Sequence, residues 1–592
     1  MIWRLGLTIA VLPIAVLLAP LLSGQVRRNF IDDDIFNQLA TMNVRPARLT
    51  TDEEFIRRVS LDLTGRIPSP AAVREFVSAD SGTKRDDLID RLLTTPEFND
   101  KWAVWLADLI QNTERLSTNG RAPQIEGRNS MDRYLRDAVA NHKPISQIVT
   151  ELITATGNNY FTENGPANYP VLASAAMGPA QDTYDMMVSR TASQFLGIAH
   201  YDCLMCHNGR GHLDGITLWG GRQLRADAER MSAHFARMRL TNGAPADAKQ
   251  YADPLYNSTD VQDAASGNYN LNTTSGNRPE RAPIGNERFL TPQYRDGTTP
   301  PANMNWRAGY AAKLTADPMF GRNFANRLWK QFFGLGLVDP VDTMDPDRLD
   351  PGNPPPAPWT LQASHPELLE RLAAAFRERN TDLREFIRLL VQSSAYQLSS
   401  EYKDEWKYEY LTLYPRHYPR RLDAEEIHDA ITQATGVPAR YTWPVVNGQT
   451  VERGTPLKQS DPVEWAMQLP DVNEPRNNGA VLTFLRAFSR GNRDTSPRKQ
   501  AGSILQQMSI MNDAFVLTRI KVSASPALQS IAKIQDNGSL VDELFLELLA
   551  RKPSGVERDK GVRYLEQSPV RETAIEDLAW ACINKLDFLF SY

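Results

Sequence analysis

The chain has 592 residues, 23% of them charged, and a formal charge of −5. The absence of a basic excess argues against nucleic acid as a partner, and three cysteines are too few for a disulfide scaffold. Eleven Trp, 19 Tyr and 21 Phe exclude wholesale disorder, and the length suits roughly three to four domain-sized units.

Met1-Ile2-Trp3-Arg4 precedes an apolar run from Leu5 to Leu22 that ends at Ser23-Gly24. One charge, a long apolar stretch and small residues read as an export signal. The run is long for a signal core and close to bilayer length, and Leu22-Ser23-Gly24 is a poor cleavage site. A cleaved signal peptide over 1–24 and an uncleaved anchor tethering the chain to a membrane through residues 5–22 both stand. Either places the body in the periplasm or cell envelope, secreted or anchored.

Residues 30–115 read as helices. Thr51-Asp52-Glu53-Glu54 offers an N-cap and acidic first turn ahead of Phe55, Ile56, Val59 and Leu63, and Gly65 with Pro68 stops that helix. Ser69-Pro70 starts another. Asp32-Asp33-Asp34 reads as a solvated cap. Met131 to Ala155 supplies two amphipathic helices broken at Lys143-Pro144, and Thr183 to Ala199 another. Ala226 to Leu240 is expected to be helical, with Met231, His234 and Met238 on one broad face. From Thr241 to Pro301 Asn, Gly, Ser, Thr and Pro dominate, giving a loop-rich linker with room for a short hairpin. Arg307 to Leu335 is expected as one long aromatic-rich helix, and Ser364 as the cap of a helix with Pro366 and Glu367 in its first turn. Leu383 to Leu398, Asp423 to Thr435, Asp542 to Arg551 and Thr573 to Phe590 continue the helical pattern. The third cysteine, Cys582, falls in an apolar helical stretch as a buried free thiol. The expected fold is mainly α and multi-helical: a helical domain over 30–240, the linker over 241–301 with minor β, and a second helical domain over 302–592.

The chemistry concentrates in Cys203-Leu204-Met205-Cys206-His207. This is C-x-x-C-H, the attachment motif for c-type haem. Two thiols three positions apart can add across the two haem vinyl groups, and the adjacent imidazole can ligate the iron. Export agrees with it, because covalent haem attachment takes place outside the cytoplasm.

The chain resembles the planctomycete-type cytochrome-c-associated proteins, built from two paired domains of unknown function. The first domain's pattern is Arg57-Arg58-Val59-Ser60-Leu61-Asp62-Leu63-Thr64-Gly65-Arg66-Ile67-Pro68, then Phe195-Leu196-Gly197 and Cys203 to His207. The second's is Asn326-Arg327-Leu328-Trp329, Ser364-His365-Pro366-Glu367 and Arg420-Arg421-Leu422-Asp423-Ala424-Glu425. The resemblance implies a fold and a haem site, not a reaction. The family often continues the motif as His-Asn-His-Pro-Phe-Asp. Here His207-Asn208-Gly209-Arg210-Gly211-His212-Leu213-Asp214 displaces the second His by an insertion.

The leading reading is one covalent haem c on Cys203 and Cys206 with His207 as proximal iron ligand. That makes the chain an exported monohaem protein for electron transfer with an unidentified redox partner protein of the envelope. The sixth ligand is open among His212, His234, Met231, Met186 and Met187. One alternative is an envelope oxidative enzyme using the haem or a bound metal, with polysaccharide as a candidate substrate. Another is a non-redox module in which Cys203, Cys206, His207 and His212 hold zinc, or the two cysteines form a disulfide staple. His365 and His417 read as surface positions or as part of a second site.

Overall fold

The computed structural model describes residues 25–114, 125–175, 177–242, 258–445, 458–493, 498 and 502–592. The fold is mainly α with a few two- to five-residue strands. The 1–24 segment lies outside the described residues, and among those no helix is long and apolar enough to cross a membrane.

The first helices are α1 (Phe30–Thr41), α2 (Asp52–Thr64), α3 (Pro70–Ser78), α4 (Lys84–Leu93), α5 (Pro96–Leu109), α6 (Ile125–Ala140) and α7 (Ile145–Thr154). Their ends follow local chemistry. The Thr51 hydroxyl accepts from Glu54 N while the Glu54 carboxylate accepts from Thr51 N, closing a capping box. Gly65 ends α2 at φ 68°, a left-handed position that costs glycine least. Ser69 caps α3 with Pro70 in its first turn.

Next come α8 (Asn168–Leu172), α9 (Ala180–Thr191) running into a π turn over Ala192–Leu196, α10 (Tyr201–Leu204) and α11 (Arg225–Ser232). The stretch expected as one helix over 226–240 ends early. After a short turn the chain becomes strand β2 (Met238–Asn242), paired antiparallel with β3 (Thr259–Asp263), which also pairs with β1 (Gly157–Asn158). This long-range ladder overrides the local helical period. The loop-rich segment also holds the hairpin of β4 (Tyr269–Asn270) and β5 (Phe289–Leu290).

The long helix expected over 307–335 is two, α12 (Trp306–Ala316) and α13 (Pro318–Phe333). Asp317 ends the first and caps the second, its Oδ1 accepting from Met319 N at 2.9 Å, with Pro318 at the first position. Then follow α14 (Pro366–Glu378), α15 (Leu383–Gln392), β6 (Arg420–Arg421) and α16 (Ala424–Thr435). The cap of α14 is His365 rather than Ser364, and no side chain bonds its first turn. After the pair β7 (Pro444–Val445) and β8 (Lys458–Gln459), helices α17 (Gly479–Ala487) to α24 (Leu586–Leu589) lead to β9 (Phe590–Ser591), which pairs with β6.

Buried apolar residues form two clusters. The larger runs from Ile31 to Tyr414 and takes in α12 to α15. The other holds Leu422 to Leu589, joined by Leu61 and Ile67. The two clusters part near residue 420, with Leu546 and Ala550 crossing over to the larger one. Helix α2 bridges both clusters: Phe55, Ile56, Val59 and Leu63 face the first, Leu61 the second.

Polar groups of α2 are buried with it. Arg58 donates to the carbonyls of Tyr396, Leu398 and Tyr592, and Arg57 to that of Phe588. Asp62 accepts from Tyr396 Oη at 2.9 Å, Ser591 Oγ at 3.1 Å and Arg420 at 3.2 Å. Asp32, expected in solvent, is also fully buried. It accepts from the backbone N–H of Arg28 and from those of Ser394 and Ala395, which would otherwise be stranded inside.

Asp62→Ala takes the acceptor from the buried hydroxyls of Tyr396 and Ser591 and leaves Arg420 with Glu426, and a loss of about 1–3 kcal/mol is expected in urea unfolding. A loss well below about 1 kcal/mol would show that the joint tolerates unpaired hydroxyls. A second expectation concerns acid. Burial opposes ionisation of Glu426, but Arg420 and Lys101 outweigh it and hold the carboxyl below its usual range. Glu425 is held low in the same way by Arg498 and Arg490. Their stabilisation is complete above the unfolded carboxylate pKa of about 4.3 and is lost as pH falls below it. Glu426→Gln should flatten that acid limb, read as melting temperature against pH.

Candidate functional site

The Cys motif sits at the end of α10, in a loop that the rest of the chain pins at both ends. Ahead of it, Gly197 ends the π turn at φ 73°, and a Cβ there would lie 2.9 Å from Asn323 Oδ1 and 3.0 Å from Met344 Sδ. Ala199 N donates to Asp342 O at 2.8 Å and Met344 N to Gly197 O at 2.9 Å. Behind it, Asp345 accepts from the backbone N–H groups of Leu218 and Trp219 at 2.6 and 3.1 Å. The residues after α13 thus clamp the approach and the exit of the motif.

Within the motif, Cys206 N and His207 N both donate to Cys203 O, at 3.0 and 3.4 Å. This one turn carries Cys203 and Cys206 as free, half-buried thiols. Burial, then the Asp202 carboxylate, pushes the Cys203 thiol above its usual range. Met205 points inward, and Ser232 Oγ donates to its sulfur at 3.7 Å. Arg278 Nη1 lies 3.8 Å from Cys206 Sγ, and the same guanidinium pairs with Asp202.

His207 Nδ1 lies 2.8 Å from Asn208 O. With Nδ1–H donating to that carbonyl, the lone pair is on Nε2, the arrangement that orients a metal-ligating imidazole. The inserted residues fold into a tight loop. His212 N and Leu213 N donate to Gly209 O, and Gly209 backs so closely on Gly220 O that a Cβ there would sit 1.7 Å away. The loop lays the exposed His212 ring beside His207, with centroids 4.0 Å apart at 32°.

Two imidazoles stacked side by side cannot approach one iron from opposite faces, so His212 in this geometry is not placed as the sixth ligand. Of the other candidates, Met187, Met231 and His234 are core residues. His234 Nδ1 is held by Met231 O at 2.9 Å, and burial pushes its pKa down to about 4. Met186 is half-buried and lines a cavity together with Asp202. Among the described residues no three or more His, Cys, Asp or Glu side chains gather to hold a metal ion. The two thiols and the oriented imidazole do fit a covalently attached haem.

His365 and His417 are buried, not on the surface. His417 packs edge-on against Tyr396 with centroids 5.9 Å apart. Burial, then Arg58 and Arg420, hold it well below the usual His range. Cys582 is a buried free thiol as expected, pushed up to about 12 by burial. Sequence reasoning missed Arg278, which is 72 positions from Cys206 in a segment that read as linker. It also missed His428, clasped between Asp429 at 2.7 Å and Tyr441 Oη at 2.6 Å inside the second cluster.

No curated protein and no solved structure matches the chain. Two family models do. Residues 30–216 match the one described as PSCyt2: Protein of unknown function (DUF1549), and residues 307–565 match PSD1: Protein of unknown function (DUF1553). The chain carries the planctomycete-type pair of these two domains of unknown function.

Proposed function

We propose that the chain is an exported monohaem c-type protein that transfers electrons in the periplasm or cell envelope. The observation that carries this reading is the turn from Cys203 to His207: two free thiols one helical turn apart, and an imidazole whose Nδ1 is occupied by Asn208 O. Each thiol would add its S–H across one vinyl double bond, forming an S–C bond while the hydrogen goes to the other carbon. When bound, the haem supplies a one-electron iron couple.

The residues of the chain do the rest. Cys203 and Cys206 would anchor the group, and His207 would present Nε2 to the iron. The Asn208 carbonyl fixes the tautomer and the orientation of that imidazole. Arg278 sets a positive charge beside Cys206, balanced by Asp202. The exposed loop from Asn208 to Ile216 leaves the site open to a redox partner protein in the envelope. The apolar run from Leu5 to Leu22 supports export.

Produced with a covalent haem attachment system, the protein should give a c-type pyridine haemochrome spectrum. Cys206→Ala should lose haem staining while keeping the wild-type helical content. A spectrum without covalent haem, or full haem retention in Cys206→Ala, would refute the assignment. A high-spin ferric spectrum would instead favour the oxidative-enzyme reading over electron transfer.

A further inference from the structure

The folded body begins at Gln25, three positions after Leu22, where the N-terminal apolar run ends. Gln25 is pinned. Its Nε2 donates to Ala47 O at 3.0 Å, and Ala47 N donates to Pro415 O at 2.7 Å. Next along the chain, Ser399 N donates to Arg48 O at 2.7 Å. The point where the apolar run meets the body therefore lies against the segment from Ser399 to Tyr418, which the haem reading does not use.

That segment carries an aromatic cluster. Trp406 is at its centre, with the rings of Tyr402, Tyr410 and Tyr418 edge-on around it at centroid distances of 5.5, 6.0 and 6.1 Å. Arg416, next to Pro415, lies over the Trp406 ring at 4.5 Å. Tyr418 Oη donates to the carbonyls of Tyr410 and Leu411 at 3.2 and 2.9 Å, which ties the loop to the body. The outer side of the cluster is open. Tyr408 is 83% exposed and Trp406 36%, and Val26, beside Gln25, is 68% exposed. Trp and Tyr rings with one apolar body and one polar edge are the side chains that settle where lipid chains meet headgroups.

The length of the tether says what covers this patch. Three residue steps reach at most about 10 Å. A run of bilayer length ends at the edge of the hydrocarbon, and each headgroup layer beyond it is roughly 5 to 8 Å thick. With residues 5–22 in a bilayer, Gln25 stands within a few ångströms of the headgroups, and the Trp406 cluster comes down beside it. Charge narrows the surface. The exposed Lys403 and Lys407 are outnumbered by the exposed Glu401, Asp404, Glu405 and Glu409, so the loop has no excess positive charge to draw it to anionic lipid. Its rings are left to make the contact.

We propose that the loop from Tyr402 to Tyr410 seats the body on a zwitterionic lipid surface, with Trp406 and Tyr408 in the headgroup layer beside residues 5–22. The proposal rests on the reading of residues 5–22 as an uncleaved anchor and is independent of haem attachment.

Photochemical cross-linking of the full chain in phosphatidylcholine vesicles tests it, with benzoylphenylalanine in place of Tyr408. That side chain makes no hydrogen bond among the described residues, so the exchange leaves the fold intact. Ile216 is the reference position, because it is 59% exposed in the Cys loop that the haem reading leaves open to a redox partner in water. Mass spectrometry should find a lipid adduct at position 408 and none above background at position 216, with no gain at 408 when phosphatidylglycerol is added. A chain that retains residues 1–24 but gives no adduct at 408 would overturn the proposal. So would equal adducts at the two positions, a cross-link from 408 to a second copy of the chain in place of lipid, or an adduct that appears only with phosphatidylglycerol. Loss of residues 1–24 from the exported chain would remove the anchor and this proposal with it, and would leave the haem assignment standing.

Discussion

Much of the structure depends on one helix, α2, whose polar side chains are buried between two hydrophobic clusters. A helix of this length could bury an apolar stripe and leave its charges in water. Here Arg57, Arg58 and Asp62 go inside as well, at 1, 0 and 3% exposure. Such burial is tolerable only where each charge finds partners. The partners lie at Tyr396, Leu398, Arg420, Phe588, Ser591 and Tyr592, so α2 ties the middle and the C-terminal end of the chain to its beginning.

The same logic runs along the seam between the clusters. Lys101 and Arg420 meet on Glu426, and Asp108 meets Arg493 and Arg498. In the pairs of Lys101 with Glu426 and of Asp108 with Arg493 and Arg498, the residues matched by the two family models supply opposite halves. The Cys motif repeats the pattern, since Asp342, Met344 and Asp345 hold the backbone on either side of it. Each segment completes the other's buried polar groups, which gives a physical reason for the two domains to occur together.

Features set by nearby residues could be read from the sequence. Thr51 with Glu54, Gly65 and Ser69-Pro70 each satisfy or terminate a helix within a few residues, and the helix ends fall where those residues put them. Features set by distant partners were hidden. The helical period over 226–240 is real as far as Phe235, but β3 captures the chain beyond it. Asp317-Pro318 hid inside an aromatic stripe that continues across the break. Three consecutive aspartates looked solvated because the stranded N–H groups of Ser394 and Ala395 lie more than 350 positions away. At the site, the thiol and imidazole spacing was plain, as was the nearness of His212. The sequence could not say that His212 would lie beside His207, nor that Arg278 would reach Cys206.

A scaffold held by buried charge carries the turn on which we propose that Cys203 and Cys206 bind a covalent haem. Intact mass spectrometry of the exported protein, denatured so that only covalent groups remain, measures this most directly. The account predicts the polypeptide mass plus one haem, with the added mass on the peptide that contains Cys203 and Cys206. A mass equal to the polypeptide alone, from cells that attach haem to a control c-type cytochrome, would contradict it.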